Sequence, residues 1–261
     1  MVERHFNDIF FNGKSLADFG VHCSGDGTYN SPEKDFETVE VPGRNGDLHI
    51  FNERFKNVDL TYKAFIIGDD WPTHYGEDHY DDARSNKGID FRARMRSLRA
   101  WLMYPNGYCR LEDTYHPDEF RKALFKGPLE TEAVYLQAGE FDLTFNCMPQ
   151  RFLKSGEFSS VYTSNTTLIN PTLFESRPFV RVYGKGDLTI GDQSITILST
   201  YPNSYIDIDC DIQDAYYGST NCNKYIVLND GEFFKLGVEK TSITLGSGIT
   251  KIELIPRWWT I

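Results

Sequence analysis

Apolar and polar residues alternate along much of the chain, with the period of two that is typical of half-buried β-strands. A polar turn, Gly191-Asp192-Gln193, divides one such stretch into two and predicts a hairpin. The segments that alternate most clearly or flank polar turns are 141–148, 188–198, 206–212, 225–228 and 251–254. No helical pattern follows residue 151, so the second half of the chain is predicted to be all-β.

One segment instead has helical periodicity. Its apolar residues recur at the spacing of one helix face and are Phe91, Met95, Leu98, Trp101 and Leu102. Asp90 is a candidate N-cap, and Pro105-Asn106-Gly107 predicts the end of the helix. The first half is therefore predicted to be α+β with a single helix, and the whole chain to be mainly β.

Three polar stretches predict loops, at 22–35, 68–88 and 149–170. The last is rich in Ser, Thr and Asn, and it separates the strand at 141–148 from a second set of strands expected near Phe179. We therefore predict two domains, residues 1–150 and 151–261.

The chain is acidic, and its charge is unevenly distributed. The net charge is −11, and residues 1–150 hold 17 basic and 26 acidic side chains, a net charge of −9. A free nucleic-acid-binding protein needs a basic surface, and so does a protein that binds anionic membranes. The composition therefore argues against stable nucleic-acid binding and against membrane binding.

The N-terminus and the cysteines suggest where the protein is made. The opening Met-Val-Glu-Arg-His is charged and has no apolar region after it, so no signal peptide is predicted. Apolar runs such as 64–67 are far shorter than a membrane span. The five cysteines are odd in number and scattered, which favours reduced thiols in a protein assembled in a cytoplasm and excludes a paired-cysteine zinc site.

The sequence contains no recognisable catalytic set. All six histidines precede residue 117, and no Gly-x-Ser-x-Gly motif is present. His74 and His79 lie in an acidic stretch that is better explained as a solvated loop than as a metal site. Asp207-x-Asp209-x-Asp211 lacks the glycine and glutamate of a calcium loop. We therefore predict no catalytic, cofactor-binding or metal-binding residues, and no cofactor. A cell-wall hydrolase that uses a pair of carboxylates stays open as an alternative, because the distances between the many acidic side chains cannot be read from the sequence.

Two groups of residues have more than one interpretation. Arginines at 92, 94, 96 and 99 make the predicted helix basic within an acidic domain, and they could bridge carboxylates either within one subunit or across a subunit boundary. Trp258 and Trp259 could anchor the last strand or stack on a sugar.

Several segments resemble, in order along nearly the whole chain, the distal tail protein (Dit) family of long-tailed phages that infect Gram-positive bacteria. Val41-Pro42-Gly43-Arg44-Asn45-Gly46-Asp47-Leu48 is similar to the family's most recognisable short motif. The other similar segments are Phe10 to Val21, Leu98 to Leu102, Gly107 to Asp113, Phe145 to Pro149, Asn170 to Thr172, Pro178, Val182 to Gly184, and Ile255 to Trp258.

The resemblance implies a fold and a role. It implies an N-terminal β-sandwich with one helix and an extended arm, and a C-terminal galectin-like β-sandwich. Family members are structural virion proteins rather than enzymes. They form a homohexameric hub at the phage tail tip that joins the tail tube protein to a tail-associated fibre or lysin protein, with the tape measure protein and receptor-binding proteins as further candidate partners.

The interface residues expected from this resemblance lie in two places. Val39 to Phe51 is the expected arm, with Gly43 and Gly46 allowing a sharp turn. The expected interface residues are Val41, Pro42, Gly43, Arg44, Gly46, Arg92, Arg96 and Arg99.

The galectin-like fold itself does not imply galactoside binding. The second half of the chain lacks histidine, and its tryptophans lie only at the terminus, whereas galectins use a His-Asn-Arg strand and a central Trp. A carbohydrate-binding adhesin that recognises host cell-wall saccharide is the alternative function, because of the aromatic content.

Overall fold

The computed structural model describes residues 7–24, 29–67, 83–130, 132–134, 138–200 and 204–261. The chain divides into two compact units, residues 1–151 together with Ile261, and residues 152–260. His74, His79 and most of the predicted loop 68–88 lie outside the described residues. The described residues are mainly β-strands with one α-helix, as predicted.

The first unit is built around one curled sheet. Its strands follow the order β2-β1-β7-β8-β10-β6-β3, and an isolated bridge between Asn7 and Cys23 brings the two ends of this path together. The elements are β1 (Ile9–Phe11), β2 (Lys14–Ser15), β3 (Val21–Ser24), β4 (Lys34–Val39), β5 (Leu48–Phe55), β6 (Val58–Ile67), α1 (Ala83–Met103), β7 (Cys109–Asp113), β8 (Glu119–Phe125), β9 (Glu132–Val134) and β10 (Ala138–Leu153), with a 3₁₀ turn at Leu16–Phe19.

The predicted helix packs its apolar stripe onto the core of this unit. Four of the five periodic residues are buried and Trp101 is half-buried. The ring of Phe11 lies 5.7 Å from that of Trp101 and 5.1 Å from that of Phe145. This clustering of helix and strand aromatics fixes the helix on the sheet.

The start of the helix differs from the prediction. Helix α1 already begins at Ala83, so Asp90 lies inside the helix rather than capping it, and residues 83–88 are helical rather than part of the predicted loop. Apolar periodicity reveals only the face that is buried, and the residues before Phe91 are mostly polar. The end of the helix at Met103, just before Pro105, agrees with the prediction.

The second unit is a sandwich of two sheets. One sheet has the order β11-β21-β13-β16-β17-β18 and the other β12-β20-β14-β15-β19. The strands of these sheets are β11 (Ser160–Tyr162), β12 (Thr166–Ile169), β13 (Phe179–Gly184), β14 (Gly186–Ile190), β15 (Gln193–Ile197), β16 (Tyr205–Asp209), β17 (Asp214–Tyr217), β18 (Thr220–Asn221), β19 (Ile226–Leu228), β20 (Lys240–Leu245) and β21 (Ile249–Ile255). The chain also forms 3₁₀ turns at Lys154–Glu157 and Asn223–Tyr225, and a short last strand, β22 (Trp259–Thr260), that is in neither sheet of the sandwich.

The core of the second unit draws on both sheets. Alternate residues of the strands point into it, as the period of two predicts. Its fully buried members include Val180, Val182, Leu188, Ile190, Ile195, Ile206, Ile208, Ile243, Ile252 and Leu254. These residues are branched aliphatics, so the sandwich closes without a disulfide, and the five cysteines are free.

The predicted hairpin at 188–198 is confirmed as β14 and β15, with Gly191 in the left-handed region at φ 59°. The predicted strand at 206–212 and the predicted loop at 149–170 are both longer than the structure shows. Strand β16 ends at Asp209, and Ile212 lies in the following turn and is exposed. The stretch 149–170 holds β11 and β12 as well as loops, because short edge strands can be built from polar Ser and Thr residues.

Candidate assembly interface

Strands β4 and β5 form a two-stranded hairpin that stands apart from the other sheets; we call Lys34–Phe55 the arm. All arm residues are exposed except Asp35 and Phe55, which are half-buried. Its exposed apolar side chains include Phe36, Val39, Val41, Leu48, Ile50 and Phe51. A hairpin of two strands is at best marginally stable in water by itself. Exposed apolar side chains on such a hairpin are typical of a surface that another protein chain covers.

The apolar residues lie on both faces of the arm. Phe36 pairs directly with Phe51, with ring centroids 5.8 Å apart, and the ring of His49 lies 5.1 Å from that of Phe36 on the same face. Val39 and Leu48, which pair three positions further along, lie on the opposite face. An arm that is apolar on both faces can be held between two surfaces rather than against one.

The base of the arm is held by polar contacts. The Nε of Arg54 donates a hydrogen bond to the Asp35 carboxylate at 2.6 Å, and this bond holds the pKa of Asp35 below its ordinary value. The backbone N–H of Lys56 donates to the carbonyl of Glu33 at 2.9 Å. These contacts keep the two ends of the arm together where it leaves the rest of the unit.

The five expected arm residues lie in the turn between β4 and β5. Gly43 and Gly46 have φ of 81° and 86°, and the Arg44 N–H donates to the Val41 carbonyl at 3.2 Å. A Cβ added at either glycine would meet no atom within 4 Å, so glycine is needed there for its backbone conformation and not for space. The predicted turn is confirmed, but the arm is longer than the expected Val39 to Phe51.

The three expected helix residues lie on the solvent-facing side of α1. Arg92, Arg96 and Arg99 are exposed and lie beside the buried stripe that contains Leu98, about 100° around the helix from it. None of the three forms an ion pair or hydrogen bond within the part of the chain that the structure describes. Bridges within one subunit, one of the two alternatives left open by the sequence, are therefore not seen for these arginines.

The aspartates of the second unit serve as ion-pair partners. Asp207 accepts two hydrogen bonds from Arg181, at 2.6 and 3.0 Å, and Asp209 accepts two from Arg257, at 2.6 and 2.8 Å. Burial acts to raise the pKa of Asp209, but the hydrogen bonds and charge of Arg257 more than offset it, and the pKa lies below its ordinary value. Both carboxylates are therefore engaged by arginines of the same unit.

The two tryptophans near the C-terminus are both engaged in packing. Trp258 is buried in the core of the second unit. The ring of Trp259 stacks on Phe174 with centroids 4.5 Å apart, and its Nε1 donates to the Glu175 carbonyl at 2.8 Å. These contacts favour strand anchoring over sugar stacking.

Three of the five thiols are buried in surroundings that keep them protonated. Burial raises the pKa of Cys23, Cys147 and Cys210 to about 12, so these thiols are protonated at neutral pH. Cys210 lines a crevice of about 210 Å³ together with Arg177 and Phe234, but it is no nucleophile there. Within the described ranges no three His, Cys, Asp or Glu side chains come together as metal ligands, and no helix is long and apolar enough to cross a membrane.

Comparison with solved structures gives a match over nearly the whole chain. The crystal structure of the SPP1 Dit protein (gp 19.1), described as a paradigm of the hub adsorption apparatus in phages that infect Gram-positive bacteria, aligns with a TM-score of 0.73 and 12% sequence identity. The alignment covers 98% of this chain and 100% of that one. No protein-family model and no curated protein matches the sequence. The chain therefore shares the Dit fold.

Sequence reasoning missed some exposed apolar residues of the first unit. Phe36 and Ile50 are 43% and 47% exposed, and Met103 and Tyr104, at the end of α1, are 62% and 82% exposed. The signal for the arm residues was available, because apolar residues flank the Pro-Gly-x-x-Gly turn on both sides. A pattern of this kind does not distinguish a hairpin on a core from a hairpin that projects, so exposure had to come from the structure.

Proposed function

We propose that this chain is a distal tail protein, a structural component of the virion at the tail tip of a long-tailed phage that infects Gram-positive bacteria. Six copies form a ring. One face of the ring continues the tail tube protein, and the other holds a tail-associated fibre or lysin protein. The tape measure protein and receptor-binding proteins are further partners.

The observation that carries this proposal is the arm on a unit with the Dit fold. The arm exposes apolar side chains on both faces and has no second layer among the described residues. A protomer that presents such a segment gains stability when a neighbouring copy covers it, because burial removes apolar surface from water. Repetition of this contact around an axis closes a ring.

The two parts of the chain have different roles in this proposal. Residues 1–150 form the ring, and residues 151–261 are a galectin-like β-sandwich that projects outward. In the second unit Arg181 and Asp207 pair with each other, and Trp258 and Trp259 are packed. We propose no enzymatic activity, and the protein acts through its shape and its contacts.

The experiment that tests this function is co-expression with the tail tube protein of the same phage, followed by negative-stain imaging. We expect six-fold rings, and rings attached to one end of the tubes. A protein that stays monomeric and does not bind tubes contradicts the proposal.

A matched control removes the arm and leaves the sheet intact. The hydrogen bond from Lys56 to Glu33 holds the two ends of the arm together. Residues 34–55 can therefore be replaced by a short glycine turn without separating the flanking chain. The shortened protein is expected to fold, as judged by its thermal transition, and to form no rings.

A further inference from the structure

The second unit contains the crevice of about 210 Å³ that Cys210 helps to line. At roughly 30 Å³ for each water molecule, this volume equals that of about seven waters, which is close to the size of one sugar ring with a substituent. A bare phosphate group is smaller and leaves much of the crevice unfilled. Its walls are of mixed character and include Arg177, Gln213, Leu228, Glu232, Phe233 and Lys235.

Two cations lie side by side in this crevice. Ser176 and Leu236 exchange two backbone hydrogen bonds, at 3.0 and 2.9 Å, across an antiparallel bridge. Their side chains are buried, so those of the next residues on the two segments, Arg177 and Lys235, lie on the opposite face and beside each other. Like charges at directly opposed positions repel each other, and a negative charge placed between them relieves that repulsion.

One carboxylate in the crevice offsets only part of this positive charge. The Nζ of Lys235 donates a hydrogen bond to the Glu232 carboxylate at 2.6 Å. This bond, together with the weaker effect of the charge of Arg177, holds the pKa of Glu232 below its ordinary value. Arg177 is exposed and forms no hydrogen bond or ion pair with any residue that the structure describes. Two cations and one carboxylate give the crevice a net charge of +1, in a protein whose net charge is −11.

Other acidic side chains that are close in sequence do not neutralise the crevice. Asp209 is held by two hydrogen bonds from Arg257. Asp230 accepts a backbone hydrogen bond from strand β15 at 3.0 Å. Glu175 and Asp211 are exposed and are not among the residues that line the crevice. The crevice therefore keeps its positive charge.

We propose that this crevice binds a single sugar unit that carries a phosphate or carboxylate group. The anionic group lies between Arg177 and Lys235, where a guanidinium can hold two of its oxygens at once. The sugar ring lies against the half-buried side chains of Phe233 and Leu228, and the amide of Gln213 hydrogen-bonds its hydroxyl groups. This site lies within one chain and does not depend on the proposed ring, so it adds a ligand to a protein whose other role is structural.

A series of matched small ligands tests the proposal on the full chain. Glucose 1-phosphate and glucuronate carry the two anionic groups, glucose lacks the charge, and inorganic phosphate lacks the ring. We expect at least one of the two charged sugars to bind with a dissociation constant of about 1 mM or tighter, measured by ligand-detected NMR at low salt. Glucose and inorganic phosphate are each expected to bind about tenfold more weakly or worse, because each makes only half of the contacts.

Two variants of the crevice are expected to change the affinity in opposite directions. Arg177→Gln removes the cation that has no partner, and we expect it to weaken binding of the charged sugar about tenfold or more. Glu232→Gln removes the carboxylate that competes for Lys235, and we expect it to strengthen binding. Lys240→Gln is the matched control, because it removes one positive charge from an exposed residue of the same unit outside the crevice. Thermal melts of all variants check folding, since surface substitutions of this kind change stability little.

The results that overturn the proposal are distinct from those that overturn the hub function. The proposal fails if neither charged sugar shows saturable binding to the wild type, or if Arg177→Gln binds as tightly as the wild type. Glucose that binds as tightly as the charged sugars, or inorganic phosphate that binds as tightly as glucose 1-phosphate, contradicts the proposed ligand class. Ring formation by Arg177→Gln is expected to equal that of the wild type, so the hub function is judged separately.

Discussion

The aromatic pair on the arm offers a test in which assembly and folding respond differently. Phe36 and Phe51 are 43% and 59% exposed in the single chain. A phenylalanine side chain can bury on the order of 200 Å², so the two rings together leave roughly 200 Å² for a partner to cover. At about 25 cal/mol per Å² this area corresponds to about 5 kcal/mol for each interface, as an upper value.

The variant Phe36→Ser with Phe51→Ser removes this contribution. A loss of half the upper value, about 2.5 kcal/mol, weakens association about sixtyfold. The apparent dissociation constant of the ring, measured by analytical ultracentrifugation across a dilution series, is therefore expected to rise by at least that factor. The melting temperature of the dissociated protein is expected to stay within about 2 °C of the wild type, because neither ring belongs to the core cluster of the first unit.

Phe158→Ser is the matched control for this experiment. Phe158 lies in the second unit and is 71% exposed, so the same substitution is made on a side chain at least as accessible. We expect it to change neither assembly nor stability. The reasoning is refuted if the arm variant assembles as tightly as the wild type, or if its dissociated form melts as early as a protein with a damaged core.

Three further predictions concern the folded units themselves. Asp209→Asn breaks the buried pair with Arg257, and we expect it to lower the free energy of unfolding of the second unit by about 3 kcal/mol at pH 7, measured by urea denaturation. Because the pKa of Asp209 is lowered in the folded state, the difference in stability between wild type and variant shrinks as pH falls through that pKa. A difference that stays constant down to acid unfolding contradicts the assignment. Gly156→Ala places a Cβ 2.4 Å from the backbone nitrogen of Trp258. We expect the free energy of unfolding to fall by about 1 kcal/mol or more, as it does when a core is overpacked. Unchanged thermal unfolding argues against this packing. Iodoacetamide at about pH 7.5 is expected to label at most the half-buried thiol of Cys109 in the native protein, and all five thiols in denaturant. The number of labels is measured by intact mass spectrometry. Rapid labelling of the other four thiols in the native protein contradicts their burial.

Local sequence patterns predicted the elements whose signals are local. The helix stripe with Leu98, the turn at Gly191 and the positive φ at Gly43 all follow from residue chemistry within a few positions. The strands of the second unit follow from alternation, because one face of each strand packs into the sandwich.

Features set by distant contacts could not be predicted in this way. The early start of α1 has no apolar signal, since the residues that precede Phe91 are mostly polar. The pairing of Asp209 with Arg257 joins residues 48 positions apart, and a triplet of alternating aspartates carries no information about which arginine lies opposite. The same limit applies to the arm, because a hairpin that packs on its own chain and one that projects have the same alternation.

The arm was expected from Val39 to Phe51, and the hairpin in the structure runs from Lys34 to Phe55. The turn residues from Val41 to Gly46 were expected from the resemblance, and they lie at the tip of the arm. Phe36 lies outside the expected arm of Val39 to Phe51, although it pairs with Phe51 across the hairpin. Exposure of large apolar side chains is a property of the folded chain, so the structure was needed to identify these residues as exposed.

The mass of the native assembly tests the central claim most directly. Native mass spectrometry of the full chain, alone and with its tail tube protein, is expected to show a species of six times 30.0 kDa, about 180 kDa, that dissociates when the arm is removed. A mass of 30.0 kDa at every concentration and with every tail component contradicts the account.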